Sequence, residues 1–328
     1  MASCSNDETV EMAQQKAISF SNAFVNNGTR SIVDPSFTTE NLTDFAVYGF
    51  TQNGQIFNGE KVSGTTSTGW SYDNVQYWVP GNTYTFGAIA PHRAANVSDV
   101  KLPEGATKVE MKVAFTNTDA DQVDLLHAAP AQIAGTAVTP TYTEPVSMTF
   151  NHQLSKVKFS FVNAVGEGYT VKVKDVKIKD AYKDGTLTVA ATENTWGGQT
   201  SKNLELNFGN VVDNASGTNA AFIANTKTLE SYNEKLMIPM GTDTYTVSFT
   251  AEMYKGTVLL GIYPHTVQIK NVEFKLGYCY NFKASLTHEN ITGEGELKPI
   301  EFKLAGINDW NDVDNNQGFD VPKTHSGI

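Results

Sequence analysis

The sequence predicts an all-β protein that consists of two tandem antiparallel β-sandwich domains with little helix. Along most of the chain, apolar residues recur with a period of two, which is typical of strands with one buried face. Turn-forming pairs such as Asn53-Gly54 and Asp184-Gly185 separate these stretches. The length of 328 residues is about twice the ~150 residues of a typical domain, which indicates two domains.

The predicted strands follow one another along the chain. In residues 42–50 both faces are largely apolar, which indicates a central strand that is covered on both sides. In the second half, Val157, Phe159 and Phe161 face one way, whereas Lys156, Lys158 and Ser160 face the other. The main alternating stretches are, in chain order, residues 18–25, 42–50, 84–89, 109–115, 156–161, 171–174, 245–249 and 300–304.

The domain boundary is predicted in residues 134–145, which are rich in Thr, Pro and Ala. Pro140 and Pro145 stiffen this connection, and neither can donate a backbone hydrogen bond to a sheet. The sequence therefore predicts an N-terminal domain over residues 1–144 and a C-terminal domain over residues 145–328.

Composition and charge exclude several classes of function. The 35 Asp and Glu residues outnumber the 24 Lys and Arg residues, so the net charge is −11 and a basic nucleic-acid-binding surface is not expected. Two cysteines cannot form a disulfide scaffold. No apolar run is long enough to span a bilayer as a helix. Among the basic residues, only Arg30 and Arg93 are arginines.

The sequence contains no pattern typical of catalysis or of cofactor binding. The six histidines include no His-x-x-x-His pair, and His152, in front of a strand, is interpreted as a structural residue. Asp312, Asp314 and Asn316 imitate the start of a calcium loop, but Gln317 stands where that loop requires glycine. We therefore predict that the protein is not an enzyme and that it holds no metal or cofactor.

The first residues have the pattern of a bacterial lipoprotein signal that ends at its cysteine. Two small residues, Ala2 and Ser3, directly precede Cys4, and a polar, acidic run follows it. This pattern predicts lipidation of Cys4. The alternative is an incidental cysteine in a terminal segment.

Residues 18–25 are predicted to form a strand. A polar loop with one arginine follows this strand. Ile18, Phe20 and Phe24 lie on one face of this strand. Loop tips are preferred sites of proteolysis, so we expect a trypsin-like protease to cut between Arg30 and Ser31. Cleavage would release the strand and expose an apolar groove with unpaired backbone groups, which is a template for another chain. The alternative is an ordinary surface arginine in an uncut hairpin.

Motifs along nearly the whole chain resemble those of the fimbrillin family, the pilins of type V pili in Gram-negative gut and oral bacteria. Small residues precede Cys4, and Thr29-Arg30 follows the first strand. The family's Tyr-Trp-Pro segment is present with one residue inserted before the proline, and the second half opens on a pattern similar to Phe-x-His-x-Leu. The matching segments are residues 42–50, 76–80, 84–88, 148–157, 236–240 and 277–280.

The resemblance implies a surface lipoprotein precursor that is built from two transthyretin-like sandwiches and anchored in the outer membrane through Cys4. An arginine-specific protease acts after Arg30 and releases the first strand. The groove then accepts a strand from another fimbrial subunit, and the resulting fimbrium supports adhesion. The donor strand is expected in residues 300–304 or after Trp310. Arg93 is expected to be protected from the protease.

A second hypothesis is a monomeric surface lipoprotein that binds a glycan or a host protein. Trp70, Tyr72, Tyr77 and Trp78 would then form an aromatic platform on which a sugar stacks. The same side chains also suit a core position, because residues 77–79 lead directly into the turn at Pro80. Polymers after limited digestion favour the first hypothesis, whereas sugar binding that is lost on Trp78→Ala favours the second.

Overall fold

The computed structural model describes residues 16–25, 42–65, 67–94, 96–101, 110–133, 145–190, 193–213, 217–293 and 299–309. Across these ranges the chain forms twenty-two β-strands and one α-helix of five residues. The prediction of an all-β protein with little helix is therefore confirmed. In this part of the chain, no helix is long and apolar enough to cross a membrane.

The strands are numbered in chain order, and nine of them precede residue 155. They are β1 (Phe20–Val25), β2 (Asp44–Thr51), β3 (Gly54–Thr65), β4 (Gly69–Ser71), β5 (Tyr84–Ala90), β6 (Val97–Lys101), β7 (Met111–Thr116), β8 (Leu126–Ile133) and β9 (Val146–His152).

The remaining elements follow in the second half of the chain. They are β10 (Ser155–Asn163), β11 (Tyr169–Ala181), β12 (Asp184–Val189), β13 (Thr195–Gly197), β14 (Leu204–Gly209), β15 (Val211–Val212), β16 (Ile223–Ala224), β17 (Thr228–Ser231), β18 (Lys235–Met237), β19 (Asp243–Lys255), β20 (Val258–Val272), β21 (Tyr278–Leu286), α1 (His288–Thr292) and β22 (Phe302–Asp309).

These strands form four sheets. The first has the order β1-β9-β8-β5-β2-β3-β4, and a four-stranded sheet has the order β13-β12-β7-β6. A six-stranded sheet has the order β15-β17-β10-β21-β22, with β18 also paired to β10. The fourth sheet has the order β14-β11-β19-β20, with β16 also paired to β11.

Most of the neighbouring strands are antiparallel, but two pairs are parallel. β1 runs parallel to β9, and β10 runs parallel to β21. The prediction of purely antiparallel sheets is wrong at these two pairs. Alternation of apolar residues shows which face of a strand is buried, but it does not indicate the direction of the neighbouring strand.

Two sheets combine strands from both sides of the predicted boundary between residues 144 and 145. β9 lies between β1 and β8 in the first sheet, and β12 pairs with β7 in the four-stranded sheet. The predicted domains 1–144 and 145–328 therefore do not correspond to a separation of the sheets. The physical reason is that β9 and β12 bury their apolar faces against first-half strands.

The described core consists of three apolar clusters, and β2 belongs to two of them. Phe45 and Val47 point into one cluster, whereas Tyr48 and Phe50 point into another that contains Phe115 and residues of the second half. Both faces of β2 are buried, as its sequence predicts. The third cluster fills the space between the six-stranded and five-stranded sheets.

Candidate functional site

The N-terminal strand β1 lies at the edge of the first sheet. Its backbone pairs with β9 in parallel register, with Phe20 opposite Val146 and Phe24 opposite Thr149. The backbone N–H of Val146 donates to the carbonyl of Ser19 at 2.8 Å. One side of this strand is therefore held by main-chain pairing to β9.

The residues just before β1 pair with a different part of the sheet. Ile18 N donates to the carbonyl of Gln76 at 2.8 Å, and Trp78 N donates to the carbonyl of Lys16 at 3.0 Å. The Tyr72 hydroxyl donates to the carbonyl of Ile18 at 2.6 Å. Because residues 76–78 follow β4, the N-terminal segment joins the two ends of the first sheet.

Two side chains of this segment are buried in the apolar cluster of the first sheet. Ile18 is 1% exposed and Phe20 is 4% exposed. Four aromatic rings surround Phe20 in edge-to-face contacts, the geometry that aromatic pairs prefer. They belong to Tyr72 at 5.6 Å, Phe57 at 5.8 Å, Phe45 at 6.1 Å and Phe86 at 6.1 Å between ring centroids.

The groove that holds β1 thus has an aromatic floor and two backbone rims. Its rims are β9 and residues 76–78, and its floor is the cluster around Phe45 and Phe86. The floor was not predicted from the sequence, because its residues come from β2, β3, β5 and the chain after β4. Their inward positions along alternating strands were the available signal.

Only some of the predicted site residues lie in the described part of the chain. The burial expected for Ile18 and Phe20 is observed, and Phe24 lies in the strand at the expected position. Cys4, Arg30 and Ser31 lie outside the described residues, as do Asp312, Asp314 and Asn316. Lipidation and cleavage therefore stay predictions.

Arg93 was expected to be protected, but its side chain is exposed. It lies in the turn after β5, where the backbone N–H of the preceding His92 donates to the Asp44 carboxylate at 2.9 Å. Burial of the side chain therefore cannot protect this position from a protease. Protection of Arg93 from cleavage therefore stays a prediction.

The four aromatic residues after β3 do not form a shared exposed platform. Trp78 is only 4% exposed, and its ring packs on Tyr84 at 4.7 Å. Trp70 is half-buried against Phe45 at 5.1 Å, and Tyr72 packs on Phe20. Tyr77 is exposed, so these side chains serve mainly as core, as the alternative interpretation of this cluster predicts.

The predicted donor segment 300–304 is already paired within its own sheet. β22 is antiparallel to β21, and the Phe302 ring lies 5.2 Å from Phe159 and 5.6 Å from Phe161. Residues after Trp310, the other predicted donor, lie outside the described part of the chain.

Buried polar residues lie where β8, β9 and β10 meet elements of the second half of the chain. His152 Nδ1 lies 2.6 Å from the Asp124 carboxylate, consistent with the structural role predicted for His152. Burial lowers the pKa of His127 to about 4, and Asn194 Nδ2 lies 3.0 Å from its Nδ1 atom. Lys156 forms a buried ion pair with Glu234 at 3.1 Å. These contacts position strands, and in the described ranges no three His, Cys, Asp or Glu side chains are grouped to hold a metal.

Both a sequence family and several solved structures match this chain. The sequence model of a family described as fimbrillin-like matches residues 29–299. The chain is similar to a fimbrial protein from Bacteroides vulgatus, with 16% identity, a TM-score of 0.60, and coverage of 88% of this chain and 99% of that chain. It is also similar to a candidate cell adhesion protein from Bacteroides ovatus, with 16% identity, a TM-score of 0.55, and coverage of 90% and 98%. No curated protein sequence matches the chain.

Proposed function

The chain belongs to the fimbrillin-like family, and from this premise we propose that it is a structural subunit of a surface fimbria that polymerises by donor-strand exchange. In this proposal β1 occupies the groove of the precursor until a protease releases it. A strand of the neighbouring subunit then takes its place. The fimbria supports adhesion.

The observation that carries the proposal is the burial of Ile18 and Phe20 in a segment that precedes the arginine-bearing stretch. Burying one large apolar side chain stabilises a fold by about 1.5–3 kcal/mol, so an empty groove is strongly unfavourable. Loss of residues 16–25 would also leave unpaired backbone groups along β9 and along residues 76–78. Such an edge is a template on which another strand pairs.

The same arrangement explains how a filament would grow. The groove lies in the first sheet, and a donor that belongs to a different part of the next subunit makes a head-to-tail contact. A contact of this kind does not close on itself, so repeated addition gives a filament. We favour the chain after Trp310 as the donor, because β22 would first have to leave β21 and the contacts of Phe302.

The earlier steps of the proposed assembly are based on sequence motifs. Lipidation of Cys4 anchors the precursor at the outer membrane, and an arginine-specific protease cuts between Arg30 and Ser31. The described chain ends at Val25 before this stretch and resumes at Leu42. Because the cut falls between β1 and β2, it separates β1 covalently from the rest of the sheet without breaking a described strand.

The two arginines of the chain permit a matched test. In Arg93→Lys, Arg30 is the one remaining site for an arginine-specific protease, and in Arg30→Lys, Arg93 is the one remaining site. We expect Arg93→Lys to form polymers after digestion, as the unmodified chain does, and Arg30→Lys to stay monomeric. Size-exclusion chromatography before and after digestion measures this difference.

Two outcomes would contradict the proposal. One is polymerisation of digested Arg30→Lys to the same extent as Arg93→Lys. The other is complete cleavage of Arg93→Lys at Arg30 with only monomers after prolonged incubation at high protein concentration.

A further inference from the structure

Large apolar side chains that are exposed in the described residues fall mainly into two groups. The first is the outer row, which consists of Val75, Tyr77 and Val79, each between 44% and 48% exposed. The second is the hairpin tip at the end of β19 and β20, which consists of Val258, Leu259, Leu260 and Ile262. Exposed apolar groups of this size commonly mark interaction surfaces.

The outer row lies directly beside the groove. Ala17 and Tyr77 face each other in an antiparallel bridge, and Trp78 between the row residues points inward. The row is thus the outer surface of the backbone rim that holds the N-terminal segment. Any subunit whose strand occupies the groove must pass next to this row.

Among the described residues, the hairpin tip lies at the outer edge of its sheet. β20 is the last strand of its sheet and pairs with β19 on one side. Residues 256–269 contain no Asp, Glu, Lys or Arg, so the usual charged protection of an edge strand is absent there. A long, uncharged, apolar edge favours contact with another protein surface.

Basic side chains border the hairpin tip, and acidic side chains border the start of the outer row, whose middle lies beside Lys16. The exposed Lys255 borders the hairpin tip, and Lys172 lies close to it, with its Nζ atom 4.0 Å from the Phe222 ring. The exposed Asp73 precedes the outer row, and the neighbouring Asn74 side chain donates to the Glu60 carboxylate at 2.9 Å. Complementary charges of this kind orient two surfaces toward each other.

We propose that the hairpin tip of one copy of this chain packs on the outer row of the next copy in the fimbria. The inference rests on the proposed function, because strand exchange brings the two copies together. At one contact, three side chains of one copy meet four of the other and bury on the order of a few hundred Å² on each side. This is less than the roughly 800 Å² per partner of a stable interface. The contact therefore orients neighbouring subunits but does not hold intact precursors together.

Site-specific cross-linking tests this contact on the full chain in a Cys4→Ser background. Cys279 remains, and burial raises the pKa of its thiol to about 12, which keeps it unreactive. Tyr77→Cys and Leu260→Cys are purified separately, mixed, digested with the arginine-specific protease and oxidised. We expect covalent dimers in the mixture and none from either variant alone.

The control replaces the hairpin partner with Tyr232→Cys, a side chain that is equally exposed at 50%. Mixtures of Tyr77→Cys with Tyr232→Cys should give no dimers. Equal cross-linking of this control, or polymers without a Tyr77→Cys to Leu260→Cys cross-link, overturns the proposed contact. In the second case strand exchange still stands.

The same experiment also distinguishes a failure of strand exchange from a failure of the contact. If the mixture cross-links at high concentration but the digested protein forms no polymer, the contact stands and strand exchange is wrong. If neither polymers nor cross-links form, both are wrong.

Charge reversal gives a second measurement that does not need a cysteine. Asp73→Lys and Lys255→Glu should each speed dissociation of polymers by about two- to fivefold, the range expected for an exposed ion pair. The two changes together should restore the original rate. A double variant that dissociates faster than either single variant contradicts the proposed pairing.

Discussion

The first and last described strands, β1 and β22, both lie at the edge of a sheet, yet they contribute differently to the fold. β1 inserts Phe20 among four aromatic rings and, with Ile18 just before it, joins two ends of a sheet. β22 packs Phe302 against the rings of Phe159 and Phe161 and leaves Leu304 and Ile307 exposed. Equal position in the topology therefore does not mean equal energetic weight.

This difference indicates which of the two strands is exchanged in the proposed function. A strand that plugs an aromatic groove leaves a large unfavourable surface when it departs, and this surface drives replacement by another strand. On this basis we propose that β1 is the strand that is exchanged.

The largest expected effect is on stability at Phe20. Phe20→Ala removes a buried ring and its four aromatic contacts, so the free energy of unfolding of the uncut chain should fall by about 3–5 kcal/mol. Leu304→Ala in β22, where the side chain is 38% exposed, should cost about 1 kcal/mol or less. Urea denaturation of both variants measures the difference, and equal losses would remove the distinction between the two strands.

A smaller effect is the pH dependence of the free energy of unfolding, which comes from a histidine of the first sheet. Burial lowers the pKa of His127 in β8 from 6.5 to about 4, so the unfolded chain takes up this proton at a higher pH than the folded chain. Stability is therefore lost as the pH falls from about 6.5 to 4, by up to about 3 kcal/mol. β10, β21 and β22 carry no histidine.

Replacement of this histidine tests that effect. His127→Asn keeps an oxygen that can accept from Asn194 but does not titrate in this range. We expect urea denaturation at several pH values to show a flatter pH dependence for His127→Asn than for the unmodified chain. An unchanged slope would mean that His127 does not account for the acid sensitivity.

The smallest expected effect concerns the rate at which cut β1 leaves. Tyr72→Phe removes the hydrogen bond to the carbonyl of Ile18, worth about 0.5–1.5 kcal/mol, so release of the cleaved peptide should be about two- to tenfold faster. Tyr84→Phe is the control, because that hydroxyl accepts from the backbone of Val79 and not from the N-terminal segment. Chromatography of the released peptide over time gives both rates, and equal acceleration in the two variants would contradict this role of Tyr72.

The sequence was sufficient for the strand content and for part of the candidate site. Alternation over residues 42–50 predicts a strand with two apolar faces, and β2 has both faces buried. Ile18 and Phe20 are predicted to share one face, and both point into the core. These features depend on local periodicity, which a single sequence contains.

The partners of these strands could not be predicted. The parallel pairing of β1 with β9, and the contact of β7 with β12, join strands that are far apart in the chain. Local alternation fixes the buried face, but many distant strands can cover it equally well. For the same reason the contact between Asp124 and His152, and the assembly of four rings around Phe20, were not foreseen.

In the proposed function, β1 leaves the groove when subunits join. The most direct measurement is the composition of polymers that form from Arg93→Lys after digestion with the arginine-specific protease. After washing and denaturation, intact-mass analysis should find subunits that begin at Ser31 and no peptide covering residues 1–30. Polymers that retain this peptide in one-to-one ratio with the cut subunit would contradict the account.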